Sequence, residues 1–459
     1  MDTTLPLLAA VDLDAPVAWR QGEAISARRF LADARAESAR LPGAGPMVNL
    51  CGDRYRFAVG LGAALMRGHT SLLPPNALPD TLARLRGAHA GLYGYTDDAA
   101  LAVTGLPMLQ AAPMTPDAAT DAATDATIPR LAADLQAACL LTSGSTGQPQ
   151  PHAKTWGQIV VNIRAEAERL ADFLERPTLA GVNLVATVPA QHSYGFESSV
   201  LLALLGGAAF DSGRPFYPAD VAAALARLPR PRMLVTTPFH LKTLLLSEVA
   251  LPPTDLVLCA TAPLSPQLAL QAERVFGGPL VEIYGCTEAG QVATRRTVHG
   301  ETWRTFGALR LKRETDGAQE RFIVEGGHVA EPTPLSDVLQ LESAQRFRLL
   351  GRANDLIHVA GKRSSLAHLN HHLNSIDGVV DGAFWMPDEV ADGIVRPIAF
   401  VVAPGLGAAQ LVAALRERLE PQFVPRRIVH VDALPREATG KLTAESLRRF
   451  ALEKLGAVS

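Results

Sequence analysis

Cysteine is scarce, with four residues in 459 (Cys51, Cys139, Cys259 and Cys286) and no Cys-x-x-Cys spacing. That argues against a disulfide-stapled scaffold, a zinc knuckle or a structural metal, and it suits a reducing cytoplasm. Excess charge is missing too. Lys plus Arg number 43 and Asp plus Glu 46, a formal balance of -3, so no chain-wide attraction to nucleic acid or anionic lipid is expected. The longest strongly apolar run, VLLALLGGAAF at residues 200–210, is about half the ~20 residues that span a bilayer. Its Gly pair makes it a buried helix and turn rather than a membrane segment. The N-terminal MDTTLPLLAAVDLD places acids where a secretory signal carries Lys or Arg, so no export is expected. What the chain does have is core material. Forty-eight per cent of residues are hydrophobic, and at roughly 150 residues per domain the length corresponds to about three domains or two large ones.

Apolar segments and helix-like stretches alternate from residue 25 onward: MVNLCG at 47–52, RFAVGLGAALMRG at 56–68, TSLLPPN at 70–76. This is the rhythm of a wound α/β layer. Further strands are expected at LVATVP from Leu184, MLVTTP from Met233, LVLCATAP from Leu256 and LVEIYG from Leu280. Their carboxyl ends are where a ligand should lie. The Ala/Asp/Thr repeat at 115–129 has no apolar face and reads as a solvated loop. Past residue 350 the texture changes to a hairpin, a His-rich helix from Ser365, a strand near 397–403, a helix from Gly407 and a final VHVDALPREATGKL. We therefore expect a large α/β domain at 1–351 and a smaller α+β domain at 352–459, hinged near Gly351 to Asp355.

The most specific local signal is LLTSGSTGQPQPHAKTW at 140–156, a strand running into a loop of Thr, Ser and Gly. Small residues let backbone N–H groups approach an anion, and the hydroxyls of Thr142, Ser143, Ser145 and Thr146 add donors, so polyphosphate is the natural ligand. No Gly-Lys-Ser/Thr closes the loop, so it is not a Walker loop.

This loop, YGCTEAG at 284–290, GRANDLIHVAGKR at 351–363 and PREATGKL at 435–442 resemble, in order and register, the motifs of the acyl-adenylate-forming superfamily. The resemblance spans about 45–455. It implies a multi-layer α/β adenylation domain with a small mobile domain, and activation of a carboxylate by ATP as acyl-AMP followed by transfer to a thiol. It also assigns roles. Thr142, Ser143, Gly144, Ser145, Thr146 and Gly147 would cradle ATP phosphates. Tyr284, with Gly285 and Cys286, would border adenine, and Thr261, Ala262 and Pro263 would line the nucleotide and acyl pocket. Glu288 would hold Mg²⁺ and Thr287 the α-phosphate, since a carboxylate beside a hydroxyl suits both tasks. Asp337 would take the ribose hydroxyls and Arg352 would accompany it. Lys441 would neutralise charge on carboxylate and α-phosphate during adenylation. His192, Tyr194, Gly195 and Phe196 would border the acyl group, and Asn354 sits where the family has a hinge Asp or Lys.

Four departures stand out. Gln150 occupies a position where the family has a phosphate-loop lysine, leaving Lys154 as the substitute cation. Leu-Ser-Asp replaces the usual Thr-Gly-Asp at Asp337, and Thr261 replaces a usual Gly, which shortens the pocket. The stretch between Glu288 and Asp337 is short and suggests a trimmed domain end. HLNHH at 368–372 reads as a helix face rather than a metal site. The expectation is an ATP- and Mg²⁺-dependent ligase of a small, aromatic carboxylic acid, of the kind that serves bacterial pigment and polyene pathways. The thiol acceptor is a carrier-protein phosphopantetheine or CoA. The alternative of another class is a non-catalytic nucleotide-binding regulator on the same fold.

Overall fold

A computed structural model of the chain describes residues 3–10, 12–113, 127–143, 149–316, 319–352, 356–359, 362–387, 396–437 and 442–456. The repeat at 115–126, the loop at 144–148, Asn354 and Lys441 lie outside the described residues.

Two sheets carry the large domain. The first has six strands, in the spatial order Pro149–Thr155, Gln136–Ser143, Ser71–Leu73, Met47–Asn49, Tyr93–Thr96 and Met108–Gln110. All its pairings are parallel except that Pro149–Thr155 returns antiparallel at the edge. The second has eleven strands around a parallel centre: Leu280–Cys286, Leu256–Cys259, Arg232–Thr236, Asn183–Ala186 and Ala209–Asp211. Strands covered on both faces have no polar face to keep, which is why they read as continuous apolar runs. Val185, Leu234, Val257 and Leu280 are each fully buried.

The apolar run at 200–210 does turn out to be interior helix and turn. Its first residues close a π-helix, Phe196–Leu201, that passes into Leu202–Gly206. Gly207 then turns the chain at φ 88° into the strand Ala209–Asp211. The segment between Glu288 and Asp337 is filled by strands of the large sheet and by a three-stranded antiparallel sheet, Arg310–Asp316, Gln319–Gly326 and Val329–Leu335.

The smaller C-terminal domain has its own cores. Leu369, Leu373, Val401 and Leu411 form one; Phe400, Leu434, Leu447 and Ala451 form another. They pack the helices Leu366–Asn374, Ala408–Arg416 and Ala444–Leu455 around the sheet Asp381–Trp385, Ile398–Val402 and Ile428–His430. The helix Leu366–Asn374 carries the clustered histidines, His368 and His372 meeting edge-to-face at 4.5 Å. Among the described residues no group of three or more His, Cys, Asp or Glu could hold a metal, and no helix is long and apolar enough to cross a membrane.

Candidate functional site

The site is built where the two sheets meet. The strand Pro149–Thr155 alternates its side chains, so Gln150, His152 and Lys154 share one face. Thr155 then starts the helix Trp156–Phe173 with a capping box, its side chain accepting from the Gln158 amide while Gln158 returns a bond to the Thr155 amide. Lys154 is thus held in a strand, one residue before a fixed helix start. Its Nζ donates to the Glu288 carbonyl oxygen at 2.6 Å. His152 Nε2 stands 3.9 Å from Glu288 Oε1. Two distant motifs, the phosphate-loop hairpin and YGCTEAG, therefore meet through these contacts.

The turn carrying Glu288 is shaped by glycine. Gly285 pairs with Gln291 across the hairpin, and a Cβ on it would lie 2.5 Å from the Gly290 carbonyl oxygen. Thr287 and Glu288 ride on this turn, with 46% of the Glu288 side chain exposed. Cys286 beside them is half-buried, and burial pushes its thiol up to about 12, so it stays protonated at neutral pH.

Tyr284 is packed inward, its ring 5.8 Å from Trp303 and 5.5 Å from Phe347. Its hydroxyl donates to Asp337 Oδ2 at 2.8 Å. Asp337 pairs in register with Arg352 on the neighbouring strand. Tyr284, Asp337 and the Arg352 backbone thus form a second group beside the Glu288 turn. Thr142 and Ser143 end the strand Gln136–Ser143, while Gly144, Ser145, Thr146 and Gly147 fall outside the described residues.

In the segment expected to border the acyl group, Gly195 lies where a Cβ would come within 2.0 Å of the Pro189 carbonyl oxygen. The segment after Ala186 is also clamped by Arg54, a buried guanidinium that donates to the carbonyls of Ala186 and Val188. Tyr194 and Phe196 are buried, Tyr194 donating to the Leu258 carbonyl at 2.9 Å and Phe196 meeting Phe57 edge-on at 6.3 Å. They form the packed floor of this region, whereas His192 stays half-buried at its rim. Ala262 and Pro263 follow the strand Leu256–Cys259 as a partly exposed turn.

Thr261 is the conformational outlier of that turn, with φ 85°. A β-branched residue in the left-handed region is strained by about 1–2 kcal/mol. Thr261→Gly should therefore raise stability by up to about 1 kcal/mol, the glycine's larger unfolded-state entropy offsetting part of the relief. It should also admit bulkier acids. Chemical denaturation and kcat/KM across acids of increasing size check both; a clear loss of stability would mean that the Thr261 side chain makes compensating bonds.

Beneath the Glu288 turn lies a buried polar cluster that the sequence alone does not reveal. Glu166 and Glu197 are 0% and 7% exposed. Asn162 and Gln291 are buried with them, and Gln291 Nε2 donates to Ser198 Oγ at 2.9 Å. Burial pushes Glu166 up from 4.5 to about 8, and the neighbouring Glu197 adds to the shift while Ser198 and Gln291 oppose it. Glu197 is raised to about 7, again by burial, with Lys154 opposing. The one available signal was polar residues at i and i+4 on a helix, Asn162 and Glu166, and it does not reveal what they face. A carboxyl that holds its proton more tightly when folded stabilises the fold fully below its unfolded value, and that stability is lost as pH rises toward the folded value. The unfolding free energy should thus fall between about pH 5 and 8, by up to about 1.4 kcal/mol per pH unit for one proton, and the thermal midpoint should fall with it. Glu166→Gln should flatten that slope; an unchanged slope would mean Glu166 is not its source.

Comparisons with known proteins identify the family. The family profile of AMP-binding enzymes matches residues 93–312 and that of the AMP-binding enzyme C-terminal domain matches 372–441. A 4-coumarate–CoA ligase of Rhodobacter capsulatus is 30% identical over 305 residues, covering 65% of this chain and 73% of the relative. A 4-hydroxybenzoate–CoA/benzoate–CoA ligase of Rhodopseudomonas palustris is 27% identical over 273 residues, about half of each chain. Among solved structures, ATP-bound MatB of Rhodopseudomonas palustris superposes with a TM-score of 0.78 at 19% identity, covering 97% of both chains. The o-succinylbenzoate CoA synthetase of Bacillus subtilis in complex with AMP gives 0.77 at 19% identity, over 97% of this chain and 98% of the other. With both domain profiles matched in order, and with its phosphate-loop hairpin docked on the YGCTEAG turn, the chain belongs to the acyl-adenylate-forming superfamily of AMP-binding enzymes, as an AMP-forming acid–thiol ligase.

Proposed function

We propose that the protein activates a small aromatic carboxylic acid with ATP as acyl-AMP and passes the acyl group to CoA. The observation that carries this reading is Lys154 seated on the Glu288 turn, which brings a cation on the strand following the loop together with a carboxylate-bearing turn. Chemically, an oxygen of the acid attacks the α-phosphorus, the bond to the bridging oxygen breaks, and pyrophosphate leaves. A thiolate then attacks the acyl carbon and AMP departs. Positioning and electrostatic stabilisation supply most of the acceleration at phosphorus. In this reading Lys154 holds the leaving pyrophosphate, Tyr284 and Asp337 fix the nucleoside, and Lys441 neutralises the α-phosphate. Glu288, with half its side chain open to solvent, fits as an oxygen ligand for Mg²⁺, which when bound would neutralise phosphate charge.

Support for an aromatic acid comes from relatives whose names are those of aryl-CoA ligases. Those names likewise favour CoA over a carrier protein. Following thioester formation by mass spectrometry, with benzoates, coumarates and fatty acids offered to CoA or to a phosphopantetheinyl carrier, tests the reading. A preference for aryl acids and CoA is expected. Faster turnover of long-chain acids would overturn the substrate class, and loading of the carrier alone would overturn the acceptor.

A further inference from the structure

Arg54 cross-links the two sheets of the large domain at the carboxyl ends of their strands. It opens the helix Arg54–Met66, which follows the strand Met47–Asn49 of the six-stranded sheet. Its backbone is fixed on both sides. Asp53 caps the helix by accepting from the Arg56 amide, and Asp97 accepts from the amides of Gly52 and Asp53 at 2.8 Å. The Arg54 amide itself donates to the Ser212 carbonyl at 2.7 Å. From this fixed start the guanidinium crosses to the eleven-stranded sheet. Nη2 donates to the carbonyls of Ala186 and Val188 at 3.1 and 2.8 Å, and Nη1 donates to Ser199 Oγ at 2.5 Å. Ser199 donates in turn to the Gly195 carbonyl. A second tie runs beside it, Gln191 Nε2 donating to the Cys51 carbonyl at 2.6 Å. The turn 187–192, which ends on His192, and the π-helix that carries Phe196 are therefore held by one group.

That group is a charge in the core. Arg54 is 2% exposed, its three acceptors are neutral oxygens, and among the described residues it forms no ion pair. Burial brings it down to about 10, so it stays charged at neutral pH. A buried charge without a counter-ion carries a desolvation cost that an apolar side chain of similar length would not. Departures of this kind are kept at functional sites. What arginine supplies here is a planar fork able to span acceptors on separate segments.

We propose that Arg54 is a positioning residue for the carboxylic acid: its fork holds the His192 turn and the π-helix at one separation, so that the segment bordering the acid keeps a single shape. This rests on the adenylation reading and deepens it by assigning a residue of the other sheet to recognition of the acid. The groups assigned to the nucleotide, Lys154, Tyr284 and Asp337, make their contacts with Glu288 and with one another. Acid and nucleotide should therefore separate in the kinetics.

Arg54→Lys, Arg54→Met and Ser199→Ala provide the test, read by thermal midpoint and by separate KM values for acid and for ATP in acid-dependent pyrophosphate release. Lysine keeps the charge but, as a point charge, cannot span all three acceptors. Arg54→Lys should raise the KM for the acid roughly tenfold, as expected for one lost charge-assisted hydrogen bond, and leave the KM for ATP within about twofold of wild type. Arg54→Met should raise the KM for the acid further. Ser199→Ala, which removes one acceptor, should shift it in the same direction by less. KM does not depend on how much of the protein is folded, so a loss of stability alone cannot produce this split. KM values for acid and ATP that rise together, or a lowered midpoint with both KM values unchanged, would overturn the assignment. Should neither Arg54 variant fold, the split in Ser199→Ala decides. A wild type that releases no pyrophosphate with any acid would overturn the adenylation reading and this assignment with it, whereas an active wild type lets the assignment fail alone.

Discussion

Replacing Lys441 with alanine should nearly abolish formation of acyl-AMP, by roughly a hundredfold or more, while leaving thioester formation from supplied acyl-AMP largely intact. The charge is needed while phosphorus is attacked, and removing one preorganised electrostatic group of this kind typically costs about 10²–10³ in rate. Lys441 lies outside the described residues, while Arg436, earlier in the same motif, is held by the small domain. Arg436 grips both oxygens of Asp381 at 2.7 Å. The pair also lies within the field of Lys242 on the large-domain helix Pro238–Leu246, whose ammonium burial brings down to about 8. Separate assays of pyrophosphate release and of thioester formation from synthetic acyl-AMP give the answer; equal loss in both would remove Lys441 from the first half-reaction.

Lys154→Ala should slow adenylation roughly ten- to a hundredfold. A partly desolvated charge-assisted contact is worth about 1.5–3 kcal/mol, at about 1.4 kcal/mol per tenfold. Gln150 cannot compensate. It donates hydrogen bonds but carries no charge to set against pyrophosphate, and it is exposed four residues nearer the loop. Adding Gln150→Lys to Lys154→Ala should recover part of the rate, since both positions share a strand face. A lysine that merely faced solvent at a helix start would be dispensable, yet Lys154 precedes the cap and its Nζ is on the Glu288 carbonyl. Wild-type rates in the alanine variant would leave the phosphates to backbone and hydroxyl donors alone.

Much of this was legible from residues. The strands at Met47, Ser71, Asn183, Arg232, Leu256 and Leu280 announce themselves because sheet strands buried on both faces need unbroken apolar runs. The Glu288 turn and the Tyr284–Asp337 grouping follow from motifs in order. What stayed hidden is what depends on adjacency between distant elements. Glu166, Glu197 and Gln291 come from a helix, a π-helix and a strand, and no local period links them. The π-helix itself sits within and just ahead of a run that reads as ordinary buried helix. His152 is not legible from sequence, because the polar face of Pro149–Thr155 appears only once the segment is known to be an edge strand. The left-handed backbone of Thr261 could be suspected only from the glycine it replaces.

Whether this chain catalyses adenylation or merely binds a nucleotide is decided by acid-dependent pyrophosphate release from ATP. With Mg²⁺ present and a panel of aryl and alkyl carboxylic acids supplied one at a time, pyrophosphate and AMP are expected in equal amounts once a thiol acceptor is added, only when a fitting acid is present, and strongly reduced in Lys154→Ala. ATP binding with no acid in the panel eliciting pyrophosphate would contradict it, and would point to a nucleotide-binding regulator on an adenylation fold.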